Sequence, residues 1–299
     1  MSYNLAILYV VMNRLKVSLL IFAGLWQHCY AQDISQSSPA KPILHWLEPD
    51  YPPAFFVRKG VSHQGFAQKA KQNFIVSLAN YQHVTLTVNN NRLKKYLTDK
   101  RGIYCIAQAG ISRNEIPFVQ YSNVANIVPA AGIVVRDEDK DLFIETYGTS
   151  FANMIKDTRL KIGNVSEGFY GASINQLLQS YRQRDHVITR HSSTNSSAFY
   201  KMLGHKRLDY FLDYAFSYQF NKAQAQQYSL SFLALREQSV AKKAYAVCND
   251  SPFSKSIIER INKVMSSDQY RRQQLQGVLE YTPDSLKDTF SILSQQIGR

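Results

Sequence analysis

Apolar residues recur along this chain at two different spacings. Residues 84–88 alternate apolar side chains with threonines, and this two-residue period predicts a strand. Residues 66–78 carry an apolar side chain at every fourth position, which predicts an amphipathic helix. The short apolar run at residues 43–47 predicts a buried strand, and residues 257–265 predict a second helix with one apolar face.

The predicted strands and helices alternate over the whole chain, once before Pro129 and again after Arg136. Such alternation is typical of α/β proteins with largely parallel sheets. At the junction of the two series, residues 102–136 hold an apolar run, a polar turn and a second apolar run. We interpret this stretch as the crossing from one lobe to a second lobe.

The first residues have the features of an export signal. A basic start at residues 14–16 precedes an apolar core at residues 17–26, with small residues before a cleavage point. We therefore predict a signal peptide over residues 1–31 and a periplasmic location. The alternative is an uncleaved anchor, although the ten-residue core is shorter than the ~20 residues that span a bilayer. Either Met1 or Met12 is the true start.

The chain is strongly basic, with a formal net charge of +13 at pH 7. Loss of residues 1–31 removes two basic and no acidic side chains, which leaves +11. Such a charge is compatible with nucleic acid, anionic lipid or an acidic partner. The basic residues are scattered, in pairs no longer than Lys242-Lys243. We therefore interpret the charge as a solvated surface and expect no nucleic-acid binding.

Two cysteines remain after loss of the predicted signal, Cys105 and Cys248. In an oxidising compartment they suggest one disulfide that closes a long loop. The alternative is two separate buried thiols, because the sequence alone does not place the two side chains within bonding distance.

Motifs for metal, nucleotide or nucleophilic chemistry are missing from the sequence. The histidines form no H-E-x-x-H, the cysteines form no Cys-x-x-Cys, and no Gly-x-Ser-x-Gly elbow, P-loop or GxGxxG fingerprint is present. We expect no metal and no cofactor. A hydrolase triad stays open, because its members are often distant in sequence.

Several stretches of the chain follow the order of landmarks in one known family. These stretches are Trp46 with residues 51–56, residues 65–66, residues 102–122, residues 162–171, residues 202–209 and residues 246–254. Together they resemble the bacterial extracellular solute-binding proteins of family 3, the periplasmic proteins that supply amino acids to ABC importers. The resemblance covers residues 43–281 and is closest to a divergent branch of the family.

The resemblance implies an α/β fold of two lobes, the type II periplasmic-binding-protein fold, with two crossing strands between the lobes and the ligand in the cleft. Lobe one would comprise residues 42–128 plus 247–299, and lobe two would comprise residues 129–246. Cys105 and Cys248 would then both lie in lobe one or at its edge, which favours their disulfide.

The resemblance also implies ligand-binding positions. Tyr51 stands where an aromatic ring usually stacks on the ligand, and the alternative is a packing residue in a proline-rich loop. Asp213, four residues after Asp209, stands where amino-acid binders place a carboxylate for the ligand ammonium, and the alternative is a solvated strand end. Phe169 and Tyr170 lie at a helix start, where unpaired N–H groups attract anions.

One landmark departs from the family pattern. The family has Thr-x-x-Arg, whose arginine binds the ligand carboxylate, but here Ser112 takes the threonine position and Glu115 the arginine position. A carboxylate does not bind a carboxylate without a proton or cation between them. Either Arg113 supplies the missing contact, or the ligand is not an ordinary α-amino acid. With Glu48 and Asp213 in the same cleft, a cationic ligand becomes a hypothesis.

The leading hypothesis is a monomeric periplasmic binding protein. It would capture a small polar ligand, amino-acid-like or cationic, by hinge closure and present it to an ABC permease or a membrane sensor. A second hypothesis is a dehydratase-like enzyme on the same scaffold, with Glu115 or Asp213 as the acid or base. A third is a degenerate member that contacts only protein partners, with its cleft closed by Phe169 and Tyr170.

Overall fold

The computed structural model of the protein describes residues 40–57, 64–111, 116–191 and 196–297. The predicted signal peptide, residues 1–31, lies outside the described residues and stays a prediction. The chain divides into a unit Met1–Lys41 and a unit Pro42–Arg299, and the second unit contains every element named below. None of the described helices combines the length and the apolar character that a membrane span requires.

Strands and helices follow one another along the described chain. The strands are β1 (Ile43–Pro49), β2 (Gln82–Val88), β3 (Ile103–Ala109), β4 (Val119–Pro129), β5 (Ala131–Arg136), β6 (Ile162–Val165), β7 (Val187–Arg190), β8 (Tyr210–Tyr214), β9 (Leu230–Ala234) and β10 (Ala241–Asn249). The helices are α1 (Phe66–Ser77), α2 (Asn90–Thr98), α3 (Lys140–Glu145), α4 (Phe151–Met154), α5 (Ala172–Tyr181), α6 (Ser197–Gly204), α7 (Ala215–Phe220), α8 (Lys222–Gln227), α9 (Ser254–Met265), α10 (Asp268–Leu279) and α11 (Asp284–Ile297).

The strands form two five-stranded sheets, and each sheet is the centre of one lobe. The first sheet has the order β2-β1-β3-β10-β4, and the second has the order β7-β6-β8-β5-β9. The chain leaves the first sheet through β4 and returns to it through β10. The two sheets with their helices confirm the predicted two-lobed α/β architecture.

The sheets are less parallel than the alternation of elements predicts. In the first sheet β1 runs parallel to β2 and β3, but β10 is antiparallel to β3 and β4. In the second sheet β6 runs parallel to β7 and β8, but β5 is antiparallel to β8 and β9. The antiparallel pairs in the first sheet arise because β4 and β10 carry the chain between the lobes in opposite directions.

The apolar periods noted in the sequence correspond to buried faces. Phe66, Ala70 and Phe74 of α1 and Leu78 just after it are all buried against the first sheet. The alternating strand β2 lies at the edge of that sheet, which explains why it has one polar and one partly buried face.

A disulfide bond joins Cys105 of β3 to Cys248 of β10. The two residues stand directly opposite each other in the antiparallel pair, and both side chains are fully buried. The bond confirms the predicted pairing. It joins two chain positions 143 residues apart, so the whole second sheet lies inside the loop that it closes.

The C-terminal helix α11 packs on β4 and β10, the two strands that connect the lobes. Phe290 of this helix is fully buried and belongs to the same apolar cluster as Val128 of β4 and Ala241 of β10. The end of the chain therefore supports the connection between the lobes.

Candidate functional site

One cavity lies where the two lobes meet. It is lined by the ends of four strands or the residues just after them: Tyr51 after β1, Ala109 at the end of β3, Val165 at the end of β6 and Tyr214 at the end of β8. Strands β1 and β3 are parallel to each other, as are β6 and β8. In open α/β sheets, ligands bind outside the carboxyl ends of the parallel strands.

The cavity is small and mainly apolar. Its volume is about 90 Å³, whereas a cavity of roughly 150 Å³ holds one benzene molecule. Among the described residues, the polar groups on its wall include Asn90, Gln108 and Lys242. The amide of Gln108 is already hydrogen-bonded to Asn126 and Gln274 inside the first lobe.

Aromatic rings occupy the gap between the lobes. The ring of Tyr214 is stacked on that of Phe216, with centroids 5.2 Å apart, and on that of Tyr170, with centroids 5.7 Å apart. The ring of Tyr51, from the first lobe, meets Tyr214 edge-on at 5.3 Å. Phe66 of α1 meets Phe216 edge-on at 5.6 Å. Such edge-on and offset pairs stabilise packing beyond the area that they bury.

The loop that carries Tyr51 is fixed against the start of α1. The backbone N–H of Phe66 donates to the Pro53 carbonyl at 3.2 Å, and that of Ala67 donates to the Ala54 carbonyl at 3.2 Å. Gly65 permits this approach, because a Cβ atom there would lie 2.1 Å from the Ala54 carbonyl oxygen. Gly65, the residue just before α1, therefore allows the loop that carries Tyr51 to pack against the helix, and Tyr51 lines the cavity.

Asp213, at the end of β8, is fully buried. Its carboxylate accepts hydrogen bonds from the Tyr51 hydroxyl at 3.2 Å, the Tyr200 hydroxyl at 2.8 Å and the Tyr214 backbone N–H at 2.9 Å. Burial raises the pKa of Asp213 to about 6, although these hydrogen bonds from Tyr200 and Tyr214 oppose the shift. The solvated strand end considered from the sequence does not apply, because water does not reach this carboxylate.

The two tyrosines that contact Asp213 act as donors at neutral pH. Desolvation and then the charge of Asp213 raise the pKa of both Tyr51 and Tyr200. Tyr200 belongs to α6 in the same lobe as Asp213, whereas Tyr51 belongs to the other lobe. The hydrogen bond from Tyr51 therefore connects the lobes across the cavity.

The burial of Asp213 predicts how stability depends on pH. The carboxyl titrates near pH 3.9 in the unfolded chain and at about 6 in the folded protein, so the folded state binds more protons between these values. The free energy of unfolding should therefore fall, by about 2 kcal/mol from this group, as the pH rises from 4 to 7. Urea unfolding at pH 4, 5, 6 and 7, with Asp213→Asn as the reference without this titration, measures the difference. A difference that grows in favour of wild type with rising pH would contradict the assignment.

Phe169 and Tyr170 lie on the loop between β6 and α5. The Tyr170 ring is buried, and its hydroxyl accepts a hydrogen bond from the Val165 backbone N–H at 3.0 Å. The Phe169 carbonyl accepts a hydrogen bond from Lys242 Nζ at 2.9 Å, and its ring lies 5.4 Å from Lys94 Nζ. Both predicted residues line the cavity.

Further polar contacts cross between the lobes beside the cavity. Asn90 Nδ2 of α2 donates to the Ser166 carbonyl at 3.3 Å, and Lys94 of the same helix forms an ion pair with Glu167. Together with the contacts of Tyr51 and Lys242, these bonds join both lobes in the described conformation.

Glu48 lies on β1 but does not line the cavity. Its buried carboxylate contacts Lys71 Nζ at 2.5 Å and accepts a hydrogen bond from the Gln68 amide at 2.8 Å, both from α1. The structure therefore brings together Tyr51, Phe169 and Tyr170 beside Asp213, and leaves Glu48 apart from them.

Ser112, Arg113 and Glu115, the other predicted ligand contacts, lie outside the described residues. Sequence reasoning did not select Tyr214, Phe216 or Lys242, which also line the cavity. The aromatic-rich run at residues 214–220 follows a predicted strand, and this pattern could have indicated Tyr214 and Phe216 as site residues. Lys242 had no such signal, because it is one of many scattered basic residues.

Metal binding finds no support in the described part of the chain. There, no group of three or more His, Cys, Asp or Glu side chains is placed to hold a metal ion.

Comparison with known proteins adds evidence on the fold. No model of a protein family matches the chain, and no curated protein matches it. Solved structures do match. An ancestral arginine-binding protein bound to arginine is similar over 81% of this chain and 98% of its own, with 14% identity and a TM-score of 0.60.

Two further structures have the same architecture. The periplasmic VFT2 domain of Bordetella pertussis BvgS is similar over 81% of this chain and 94% of its own, with 14% identity and a TM-score of 0.58. AbpA, an amino acid ABC transporter substrate-binding protein from Streptococcus pneumoniae bound to L-arginine, is similar over 85% of this chain and 96% of its own, with 14% identity and a TM-score of 0.54. The chain therefore has the two-lobed fold of periplasmic solute-binding proteins, the fold that the sequence landmarks predict.

Proposed function

We propose that this protein is an exported solute-binding protein of family 3 that binds a small molecule between its lobes. The observation that carries the proposal is the cavity itself, because its wall combines strand ends from both sheets. A molecule bound there would contact both lobes, so its binding would be coupled to their relative position. The match to an arginine-binding protein over most of both chains supports the same reading.

The proposed ligand is amino-acid-like or cationic, with an apolar body and an amine. The Asp213 carboxylate lies next to the cavity, where it accepts a hydrogen bond from Tyr51, which lines the cavity. An ammonium group is a stronger donor to a carboxylate than the Tyr51 hydroxyl, so a ligand amine would compete for this carboxylate. The aromatic rings of Tyr170 and Tyr214 would surround the apolar part. Arginine is the first ligand to test, since it is the ligand in two of the structures described above.

The residues proposed to contact the ligand are Tyr51, Phe169, Tyr170 and Asp213. Ser112, Arg113 and Glu115 stay predicted contacts from the sequence. Glu48 takes no part in the proposal, because its carboxylate is already paired with Lys71.

The proposed partner is a membrane protein, either an ABC permease or a sensor. Two structures that share the fold come from these two settings: the ABC transporter substrate-binding protein AbpA, and a histidine kinase sensor domain with similarity to periplasmic binding proteins. We further propose a monomeric protein without enzymatic activity and a periplasmic location. The lobe boundaries predicted from the sequence are residues 42–128 plus 247–299 for lobe one and residues 129–246 for lobe two. Because β10 (Ala241–Asn249) belongs to the first sheet, we propose that lobe one resumes at Ala241, which includes Lys242.

Native mass spectrometry of freshly purified protein tests the proposed function. We expect a one-to-one complex with a small molecule, either retained from the cell or formed with added arginine, an aromatic amino acid or a polyamine. Calorimetric titration with the ligand that binds should show at least a tenfold weaker affinity for Asp213→Asn, because the variant lacks the negative charge. Tyr200→Phe is the matched control, since it removes a hydrogen bond to the same carboxylate but leaves the charge, and its affinity should stay within threefold of wild type.

Two results would contradict the proposal. Binding of no small molecule from any of these classes would favour the degenerate member that contacts only proteins. A bound molecule that is chemically changed after hours with the protein would favour the enzyme.

A further inference from the structure

We propose that the Lys242 ammonium binds a carboxylate of the ligand. The inference rests on the proposed binding function and deepens it, because it selects an amino-acid-like ligand with a free carboxylate over a purely cationic ligand such as a polyamine. Lys242 would then supply the cation that this chain lacks at the position of Glu115.

The charge of the cavity wall is the first argument. Among the described residues that line the cavity, Lys242 is the one with a charged side chain, while Glu48 and Asp213 do not line it. A ligand that fills the cavity displaces water from this ammonium, and a carboxylate on the ligand compensates for the lost solvation. A ligand with only positive charges would instead bring like charges together at a mainly apolar site, which is costly.

The course of the Lys242 side chain is the second argument. Lys242 lies on β10, and its Nζ donates to the carbonyl of Phe169 in the second lobe at 2.9 Å. Its stem passes the backbone of Gly110, just after β3, where a Cβ atom would lie 3.5 Å from Lys242 Cε and 3.7 Å from Lys242 Nζ. The ammonium therefore lies between the end of β3 and the loop between β6 and α5, where a ligand held by both lobes would reach it.

The geometry of β10 separates Lys242 from the adjacent Lys243. Successive residues of a strand point to opposite faces. Lys242 stands opposite Val128, is half-buried and lines the cavity, whereas Lys243 stands opposite Ile127, is exposed and does not line it. The two lysines have the same charge and differ in their access to the cavity, so Lys243 provides a matched control.

Charges of both signs at the cavity match a zwitterion. Lys242 lies on the wall, and the buried Asp213 lies next to the cavity, where it accepts a hydrogen bond from the Tyr51 hydroxyl. An amino acid has a carboxylate for Lys242 and an ammonium for Asp213, whereas a polyamine has a partner only for Asp213. The two charged residues together favour a ligand with both groups.

A ligand that contacts Lys242 has space beyond the apolar cavity. That cavity shares Val165 and Gly168 with a second, mainly polar cavity of about 510 Å³. Lys94 and Glu167 lie on the wall of the second cavity. Polar groups of the ligand would therefore extend past Gly168, while its apolar part remains among the aromatic rings.

Calorimetric titration with pairs of compounds that differ by one carboxylate tests the inference. The pairs are L-arginine with agmatine and L-phenylalanine with 2-phenylethylamine, and putrescine represents the polyamines. We expect at least one of the two amino acids to bind roughly tenfold or more tightly than its amine, because a hydrogen bond to a charged group contributes that much. In Lys242→Met this amino acid should bind about as weakly as its amine, because the variant lacks the group that distinguishes them.

Two further variants keep the test decisive. Lys243→Met removes the same charge from the exposed face of β10 and should leave the affinity for the amino acid within about twofold of wild type, because solvent and salt screen an exposed charge. Lys242→Gln keeps a hydrogen-bond donor at this position and should also lose the preference for the amino acid, even if Lys242→Met does not fold. A loss of stability alone would weaken amino acid and amine alike and leave the preference unchanged.

Three results would overturn the inference: an amine that binds wild type as tightly as its amino acid, a preference that persists in a folded Lys242 variant, or an equal loss of affinity in Lys243→Met. The outcome is separable from that of the proposed function. One-to-one binding of putrescine or an amine without tighter binding of the amino acids would leave the binding function intact and remove the role of Lys242. If none of the five compounds binds, the inference fails, whereas a small molecule retained from the cell would still support the binding function.

Discussion

Replacing both Cys105 and Cys248 by alanine should lower the free energy of unfolding by about 4 kcal/mol. The bond joins positions 143 residues apart, and a crosslink that closes so long a loop removes much of the conformational entropy of the unfolded chain. Strand β10 also brings the chain back from the second lobe to the first sheet. Loss of the disulfide therefore weakens the pairing of β10 with β3, through which the chain rejoins the first sheet.

Guanidinium unfolding followed by the fluorescence of Trp46 measures this effect. Trp46 is 1% exposed and packs in the same apolar cluster as both cysteines, so it reports on the first lobe. Wild type unfolded in the presence of a thiol reductant should match the variant, and the variant should be insensitive to the reductant. A decrease below about 1 kcal/mol would mean that the disulfide adds little, as happens when the reduced chain retains structure.

Replacing Lys71 by methionine should lower the free energy of unfolding by about 3–5 kcal/mol. Lys71 Nζ lies 2.5 Å from the Glu48 carboxylate, and both side chains are more than nine-tenths buried. The substitution leaves a buried carboxylate without its cation, although the Gln68 amide still donates to it. Removal of one member of a buried ion pair costs far more than the intact pair contributes to stability.

The double variant Glu48→Gln with Lys71→Met provides the control. With both charges removed, more than half of the lost stability should return, because no buried charge is left unpaired. The same double variant tests the role first predicted for Glu48. If it binds the ligand as wild type does, Glu48 is a structural residue of the first lobe, and if binding is lost, Glu48 contacts the ligand.

The candidate site was only partly predictable from the sequence. The resemblance selected Tyr51, Phe169, Tyr170 and Asp213, and the first three line one cavity. Asp213 does not line the cavity and lies next to it, where its carboxylate accepts a hydrogen bond from Tyr51. The resemblance also selected Glu48, whose carboxylate faces α1 instead. Glu48 lies on β1, whereas Tyr51, three positions later, lies on the loop after the strand. Successive side chains of a strand point to opposite faces, so closeness in sequence to a site residue does not place a strand residue at the site.

The sequence by itself determined the local elements, and it left Cys105 and Cys248 as the two cysteines after the predicted signal without deciding whether they pair. The four-residue period of α1 and the two-residue period of β2 are local patterns, and each specifies an element without reference to the rest of the chain. Only the tertiary structure decided the antiparallel course of β4 and β10, the hydrogen bond from Tyr51 to Asp213 across 162 positions, and the aromatic filling of the cleft. The physical reason is that these features depend on how two lobes meet, and the contacts between lobes join residues that no local period relates.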